Sequence, residues 1–468
     1  MATTVNDPRF AAIDAYAEAN RDAILRDISR LCAVPSVEGK PAPGAPFGEG
    51  PKAALTKALE IAAELGLSTH DADGYIGWAE TAPIAENQKY LATITHTDVV
   101  PEGNGWDADP YTVRVRDGWL LGRGVADDKG PCILCLYALK YLKESGVALR
   151  YPVRALLGTN EETHMHDADY YAAHFAQPAF CFTPDAEFPV CNGEKGGFTG
   201  ELVSPVLKDG VIEDIAGGVA HNAVPDRARC TVRVPAGALK ATPGVSFEQE
   251  GGVTVLHAQG KSGHAATPEG TVNAIGLIVR CLLDSKITTP AETAYLQVLA
   301  TLHASTDGSA LGIACEDGRF TPLTIIGGTI AMEDGKIRQS FDSRYPTTTD
   351  EEKLTAAMKK ACGSAATLEH VESRVPFYIE ADSPAIQTLI STYNEVTGDN
   401  KKPFTMGGGT YARHFPYAVS FGPEHTDIKI PDFAGPMHGA NEGAPFEKLI
   451  EALKIYILAL FRLQEIEL

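Results

Sequence analysis

Five short segments of this chain place residue types that bind metal ions at the ends of apolar runs. His96-Thr97-Asp98 closes the run YLATIT. Residues i and i+2 of a strand share a face, so Asp98 is expected to accept the second ring N–H of His96 and fix its tautomer. GRGVADDKGP sets Asp127 and Asp128 in a glycine-punctuated turn before a helical stretch. A carboxylate there either lies where open α/β sheets collect ligands or caps the helix. GTNEETH holds Glu161 and Glu162 after YPVRALL, a pair that on its own reads as a solvated surface. TPDAEF puts Asp185 at the end of a further run, where a Pro-Asp turn would also account for it. GPMHGANEG holds His438 ahead of the last helix. Taken in order these give one His, one Asp, one Glu, one Asp and one His with carboxylates to spare, the donor set of a pair of zinc ions. Each ion takes about four N or O ligands at roughly 2.0–2.2 Å. One bridging carboxylate keeps such ions about 3.5–4 Å apart, and a shared water becomes nucleophilic near neutral pH. A carboxylate left without metal can then serve as general base.

Elements able to gather these segments are legible on either side. Residues 8–32 and 51–66 read as amphipathic helices. YLATITHTDVV, YPVRALLGTN and CFTPDAEFPV read as strands, and KGPCILCLYALKYLKESG and DADYYAAHFA as the helices between them. That alternation predicts an α/β domain with a largely parallel sheet. From about Glu194 the pattern changes to apolar/polar alternation, as in RARCTVRVP, the signature of strands with one wet face. Helical periodicity returns near 380, where Ser383 is a candidate N-cap and Pro384 the first helical residue. The economical organisation is an α/β domain in two stretches, residues 1–193 and 379–468. An inserted α+β domain, residues 194–378, interrupts it.

The chain has 468 residues, enough for more than one core. Hydrophobic residues make up 44% and charged residues 22%, as in globular proteins that live in water. Forty basic against 61 acidic residues leave a formal charge of −21, which argues against nucleic acid and anionic lipid as partners. MATTVNDPRF lacks the basic and apolar regions of a secretory signal. The segment Leu449–Leu463 is interrupted by Glu451, Lys454 and Arg462 and reads as an amphipathic helix on a core. Nine cysteines in apolar contexts suggest free thiols in a reducing compartment, hence a cytoplasmic protein. Cys132 and Cys135 form a CxxC on a helical stretch, and burial explains them better than metal.

HTDVVP, GRGVADDKGP, GTNEET, TPDAEFPVCNGEKG and MHGANE, in this order, resemble the M20 family of metallopeptidases and most of all its bacterial dipeptidase branch, the PepV type. The resemblance implies a zinc-peptidase-like catalytic domain interrupted by a two-lobed lid. It implies two divalent ions, zinc first, with manganese or cobalt as alternatives. His96 and Asp185 would hold one ion, Glu162 and His438 the other, and Asp127 would bridge. Asp98 would orient His96, Glu161 would be the general base, and the Asp127–Asp128 peptide would be cis. In the lid, His264 of GKSGHAATPEG would donate to the developing oxyanion, with Asn222 as a further contact. Arg344 of SFDSRYP would take the substrate's free carboxylate. Gly408, Gly409 and Thr410 of MGGGTYARHF would let backbone approach the substrate, and no phosphate-loop Lys-Ser/Thr follows them. An insertion of this length implies that His264 acts in cis and that a monomer works. The activity implied is hydrolysis of dipeptides with free termini. N-acyl amino acid deacylation or succinyl-diaminopimelate desuccinylation on the same scaffold is the nearest alternative. A metal- or substrate-binding module without catalysis is the alternative of another class.

Overall fold

The computed structural model describes residues 5–468, which divide into two compact units. The first comprises residues up to Asn192 together with Tyr378–Phe404 and Gly409–Leu468; the second comprises Gly193–Phe377 and Thr405–Gly408.

In the first unit four strands run parallel side by side: Val153–Gly158, Leu91–His96, Phe180–Thr183 and Ala418–Ser420. An antiparallel pair, Ser68–Ala72 and Ile76–Glu80, extends the sheet beyond Val153–Gly158. Every residue of Leu91–His96, Val153–Gly158 and Phe180–Thr183 is buried, which is why these strands read as continuous apolar runs. Because the three are parallel, their carboxyl ends lie at one edge of the sheet, and His96, Glu161 and Asp185 all follow there.

The helix Lys129–Glu144 packs on this sheet, and Phe446–Leu463 packs on that helix and on Phe10–Ala19. Phe446–Leu463 is more deeply buried than an amphipathic surface helix. Its apolar residues are in the core, and Lys454 spends its charge on Asp14 and Glu18 at 2.6 and 3.0 Å. Residues 8–32 form two helices, not one. Asn20 leaves the helical region at φ −102°, ψ 2°, and its side-chain amide donates to the Tyr16 carbonyl (2.8 Å), ending Phe10–Ala19 before Arg21–Cys32 begins. CFTPDAEFPV likewise breaks into Phe180–Thr183 and Ala186–Glu187, with Asp185 in the gap. Ser383 occupies the N-cap position before Pro384–Thr397, but its hydroxyl accepts no cap hydrogen bond. All nine cysteines are free. Among the described residues no helix is long and apolar enough to cross a membrane.

The second unit is built on one antiparallel eight-stranded sheet running from Val245–Glu250 at one edge to Thr367–Arg374 at the other. Ala274–Ser285, Pro290–Leu302 and Glu351–Cys362 share its core. Asn273 caps the first of these helices by accepting from Ile275 and Gly276 N–H.

Candidate metal centre

The Asp127 turn is fixed before its carboxylate meets anything. Glu442, fully buried, accepts N–H groups from Gly124 and Ala126 at 3.0 Å and from Asp127 at 3.3 Å on one oxygen. Its other oxygen takes the buried Arg123 guanidinium at 2.6 Å. The Asp127–Asp128 peptide is cis. Asp128 sits at the N-cap position of Lys129–Glu144, yet its carboxylate does not cap the helix: it accepts the His96 backbone N–H (3.1 Å).

Asp127 then presents one oxygen to each of two histidines, Oδ1 to His96 Nε2 and Oδ2 to His438 Nε2, both at 2.9 Å. His438 Nε2 also lies 3.1 Å from Glu162 Oε2, and His96 Nε2 lies 3.9 Å from Asp185 Oδ2. Donor atoms of His96, Glu161 and Asp185 fall within 4.8 Å of one another, as do those of His96, Asp127 and Glu162. The six residues singled out from sequence as ligands or base therefore converge. His438 is held at φ 62°, a conformation uncommon for residues other than glycine, in a partly exposed loop.

Asp98 meets His96 through both its carboxylate and its backbone. Its backbone carbonyl, not its carboxylate, is the nearer partner of His96 Nδ1, at 3.0 Å against 3.5 Å. The strand stops at His96, so the shared-face argument does not extend to Asp98. The carboxylate instead accepts the N–H groups of Glu161 (3.3 Å) and Glu162 (3.1 Å). Asp167, which sequence reasoning missed, continues the pattern by accepting from Thr159 (2.6 Å) and Asn160 (3.0 Å), and it also holds the Tyr411 hydroxyl. Four successive N–H groups of the Glu161 loop thus end on two buried carboxylates.

The electrostatics fit divalent cations. Burial, then the neighbouring Asp185 charge, pushes Glu161 well above the ordinary carboxylate range. Burial, then Asp127, does the same to Asp185. Hydrogen bonds to Asp127 and Glu162 raise His438 to about 11. Among the described residues no lysine or arginine pairs with Asp127, Glu161, Glu162 or Asp185. Two imidazoles and a cluster of carboxylates of this kind suit two divalent ions.

The remaining candidates lie mostly in the second unit. His264 pairs with Ala223 across a short antiparallel ladder, which sets it beside Asn222, whose carbonyl accepts Ala265 N–H (2.9 Å). His264 is exposed as a residue with its ring partly buried, its Nδ1 accepts Ala266 N–H (3.2 Å), and that burial followed by the Arg344 charge lowers its pKa. Arg344 is buried, and its Nε–Nη2 edge is already bidentate with Asp342 at 2.7 and 2.9 Å. Its Nη1 donates to the Gly407 carbonyl (3.1 Å), so the fork is engaged within the unit. Asp342 was missed although SFDSRYP spaces it two residues from Arg344 on one strand face. Gly407, rather than Gly408, is where backbone approach is tightest, since a Cβ there would stand 2.6 Å from that of Ala266. In the first unit, Gly409 lies against the Arg413 guanidinium. Thr410 Oγ1 accepts Ala412 N–H (3.2 Å) and meets Ser420 Oγ (3.0 Å), both structural contacts.

The sequence profile described as "Peptidase family M20/M25/M40" matches residues 92–462. A Beta-Ala-Xaa dipeptidase of Lactobacillus delbrueckii subsp. lactis is 33% identical over 474 residues, covering 96% of this chain and 98% of its own. Among solved structures, the di-peptidase Dug1p from Saccharomyces cerevisiae superposes with a TM-score of 0.61 at 12% identity, covering 98% of this chain and 99% of its own. Human carnosine dipeptidase 1 gives 0.61 at 13%, covering 98% and 100%. At such identities the two structures show a shared fold.

Proposed function

The chain belongs to peptidase family M20/M25/M40 and is a peptide hydrolase, and from that premise we propose that it is a two-metal dipeptidase acting on dipeptides with free amino and carboxyl termini. The observation that carries the reading is the double presentation of Asp127, one oxygen to each histidine at 2.9 Å, with further carboxylates on either side. In this reading His96 and Asp185 hold one ion, Glu162 and His438 the other, and Asp127 bridges. Zinc is the first choice, with manganese and cobalt compatible with the same donors. When bound, the ions supply Lewis-acid polarisation of the scissile carbonyl and a water acidic enough to attack near neutral pH.

Glu161 is the general base. Its donor atoms lie as close to His96 and Asp185 as those of Glu162 do to His96 and Asp127, so distance does not divide the roles. What favours Glu161 is the resemblance to the family together with the basicity that burial and Asp185 give its carboxylate. It takes a proton from the attacking water and returns it to the leaving amine. Asp98 holds the Glu161–Glu162 loop through two N–H groups while its carbonyl steadies the His96 ring. His264, neutral and able to donate, serves the oxyanion, and Asn222 assists. Arg344, kept in place by Asp342, meets the substrate carboxylate with what its fork leaves open. Gly408, Gly409 and Thr410 provide backbone to the substrate. A cytoplasmic monomer without nucleic-acid or membrane partners completes the proposal, supported by the acidic charge and the free thiols.

The test is a panel of Ala-Ala-type dipeptides and N-acetyl amino acids, with metal content measured alongside. Dipeptide turnover that 1,10-phenanthroline abolishes and Zn²⁺, Mn²⁺ or Co²⁺ restores is expected. Full activity in metal-free protein refutes the two-metal mechanism, and turnover of acyl amino acids alone replaces the substrate class. Mixing His264→Ala chains with Glu161→Ala chains should restore nothing; recovered activity would place His264 in trans.

A further inference from the structure

A cavity of about 280 Å³ in the first unit is lined in part by Ala126 and Met437, the residues that directly precede Asp127 and His438 in the chain. Trp119 and Ile428 make other parts of it apolar. One acidic side chain, Glu424, lines it. The Glu424 backbone is tied down, its carbonyl accepting Phe188 N–H at 2.8 Å in a parallel pairing with Ala186–Glu187. Its carboxylate has no hydrogen bond or ion pair among the described residues. Burial, then the like charges of Glu187, Asp127 and Glu442, pushes its carboxyl up to about 7. Lys448, the cation in the wall, is spent on Glu451 at 2.7 Å. His425 also lines the cavity; its side chain is 6% exposed, and its Nε2 makes no hydrogen bond, with Glu451 Oε1 3.8 Å away.

A partly buried carboxylate and a buried imidazole nitrogen, neither of them hydrogen-bonded, stand beside apolar walls and call for a particular ligand. A metal ion would find too few donors, because one carboxylate and one imidazole are the only strong ligands facing an apolar surface. An anion would meet Glu424. A primary ammonium brings three donors on a compact head, and an alkyl chain behind it covers the apolar wall. We propose that this cavity receives a primary ammonium carried on an apolar chain, a subsite that deepens the dipeptidase reading and rests on it. The shared chemistry has two sources, a lysine-type side chain on the substrate's N-terminal residue or a free alkylamine.

The experiment uses full-length, metal-replete protein. Values of kcat/KM are measured for Lys-Ala and norleucyl-Ala with wild type, Glu424→Gln and Ile428→Trp, the last enlarging an apolar residue of the wall. In parallel, n-butylamine is titrated calorimetrically into the same three proteins. A fall of roughly tenfold or more in the Lys-Ala to norleucyl-Ala ratio in Glu424→Gln and Ile428→Trp supports the side-chain source, the size expected for a charge-assisted hydrogen bond. An unchanged ratio with butylamine affinity lost in both variants supports the free amine. An unchanged ratio and butylamine affinity alike in wild type and variants overturn the proposal. If wild type turns over no dipeptide, the dipeptidase reading fails while the butylamine titration still decides the cavity.

Discussion

The two clusters of functional side chains are held in opposite ways. Around Asp127 and Glu161 the candidate carboxylates ride on loops whose backbone N–H groups end on a further set of buried carboxylates, Glu442, Asp98 and Asp167. Around His264 and Arg344 the holding is done by strand register: Ala223 lies opposite His264, and Asp342 and Arg344 stand two apart on one strand. The first arrangement concentrates negative charge, so it is preorganised to accept cations without moving backbone. The second offers a partly buried imidazole of lowered pKa and a cation already spoken for on one edge. On the proposed function, fixed chemistry would sit in the first unit and adjustable recognition in the second.

The largest expected effect tests the first half of that contrast. Glu161→Gln keeps the shape of the loop and its two N–H bonds to Asp98 but removes the proposed base. A loss in kcat of about 10³-fold, within the range general acid–base catalysis supplies, should occur with both metals retained. Steady-state kinetics and metal analysis on the same preparation check it, and wild-type kcat would take Glu161 out of the role.

The anchoring carboxylates should matter for stability as well as rate. Glu442→Gln leaves Arg123 buried beside an uncharged partner, and breaking a buried pair in this way costs about 3–5 kcal/mol. Urea unfolding of the metal-free protein reads that loss. An unchanged midpoint would mean the Asp127 turn is held by something other than Glu442.

These anchors mark where sequence reading stops. The convergence of His96, Asp127, Glu161, Glu162, Asp185 and His438 was legible because their residue types recur at strand ends and parallel strands deliver their carboxyl ends to one edge. The α/β rhythm was legible for a related reason, since strands buried on both faces have no polar alternation to blur them. Glu442, Asp167 and Asp342 were not found, because their partners are backbone N–H groups or another functional side chain, and neither leaves a pattern in residue spacing. Only Asp342 had a usable signal, its two-residue offset from Arg344. The break at Asn20 was missed for the complementary reason: apolar periodicity runs on through residues 8–32 while one side chain turns back to cap the helix.

The second half of the contrast is sharpened by loosening the arginine. Asp342→Asn removes the charge that pins Arg344 but keeps a hydrogen-bonding group of the same size. If recognition is this residue's task, KM for Ala-Ala should rise about tenfold while kcat changes much less, the pattern of lost ground-state binding. Equal falls in kcat and kcat/KM would assign Arg344 to the transition state and erase the division of labour between the units.

The smallest effect concerns the core behind the second cluster. His303 packs against Gly276 and Gly327 with Nε2 at 3.4 Å from Gln339 Oε1, and burial lowers its pKa to about 4, against 6.5 when unfolded. Between those values the unfolded chain binds the extra proton, so stability rises with pH from about 4 to 6.5; it is fully present above 6.5 and lost on acidification. Because the ring is partly exposed, solvent screening trims the contribution to about 1–2 kcal/mol. Amide exchange in the strands Thr324–Glu333 and Lys336–Tyr345, followed at pH 7 and pH 4.5, should show wild type losing protection that His303→Gln keeps. Parallel losses in the two proteins would mean that the acid sensitivity of this unit has another origin, and that its adjustable character does not extend into its core.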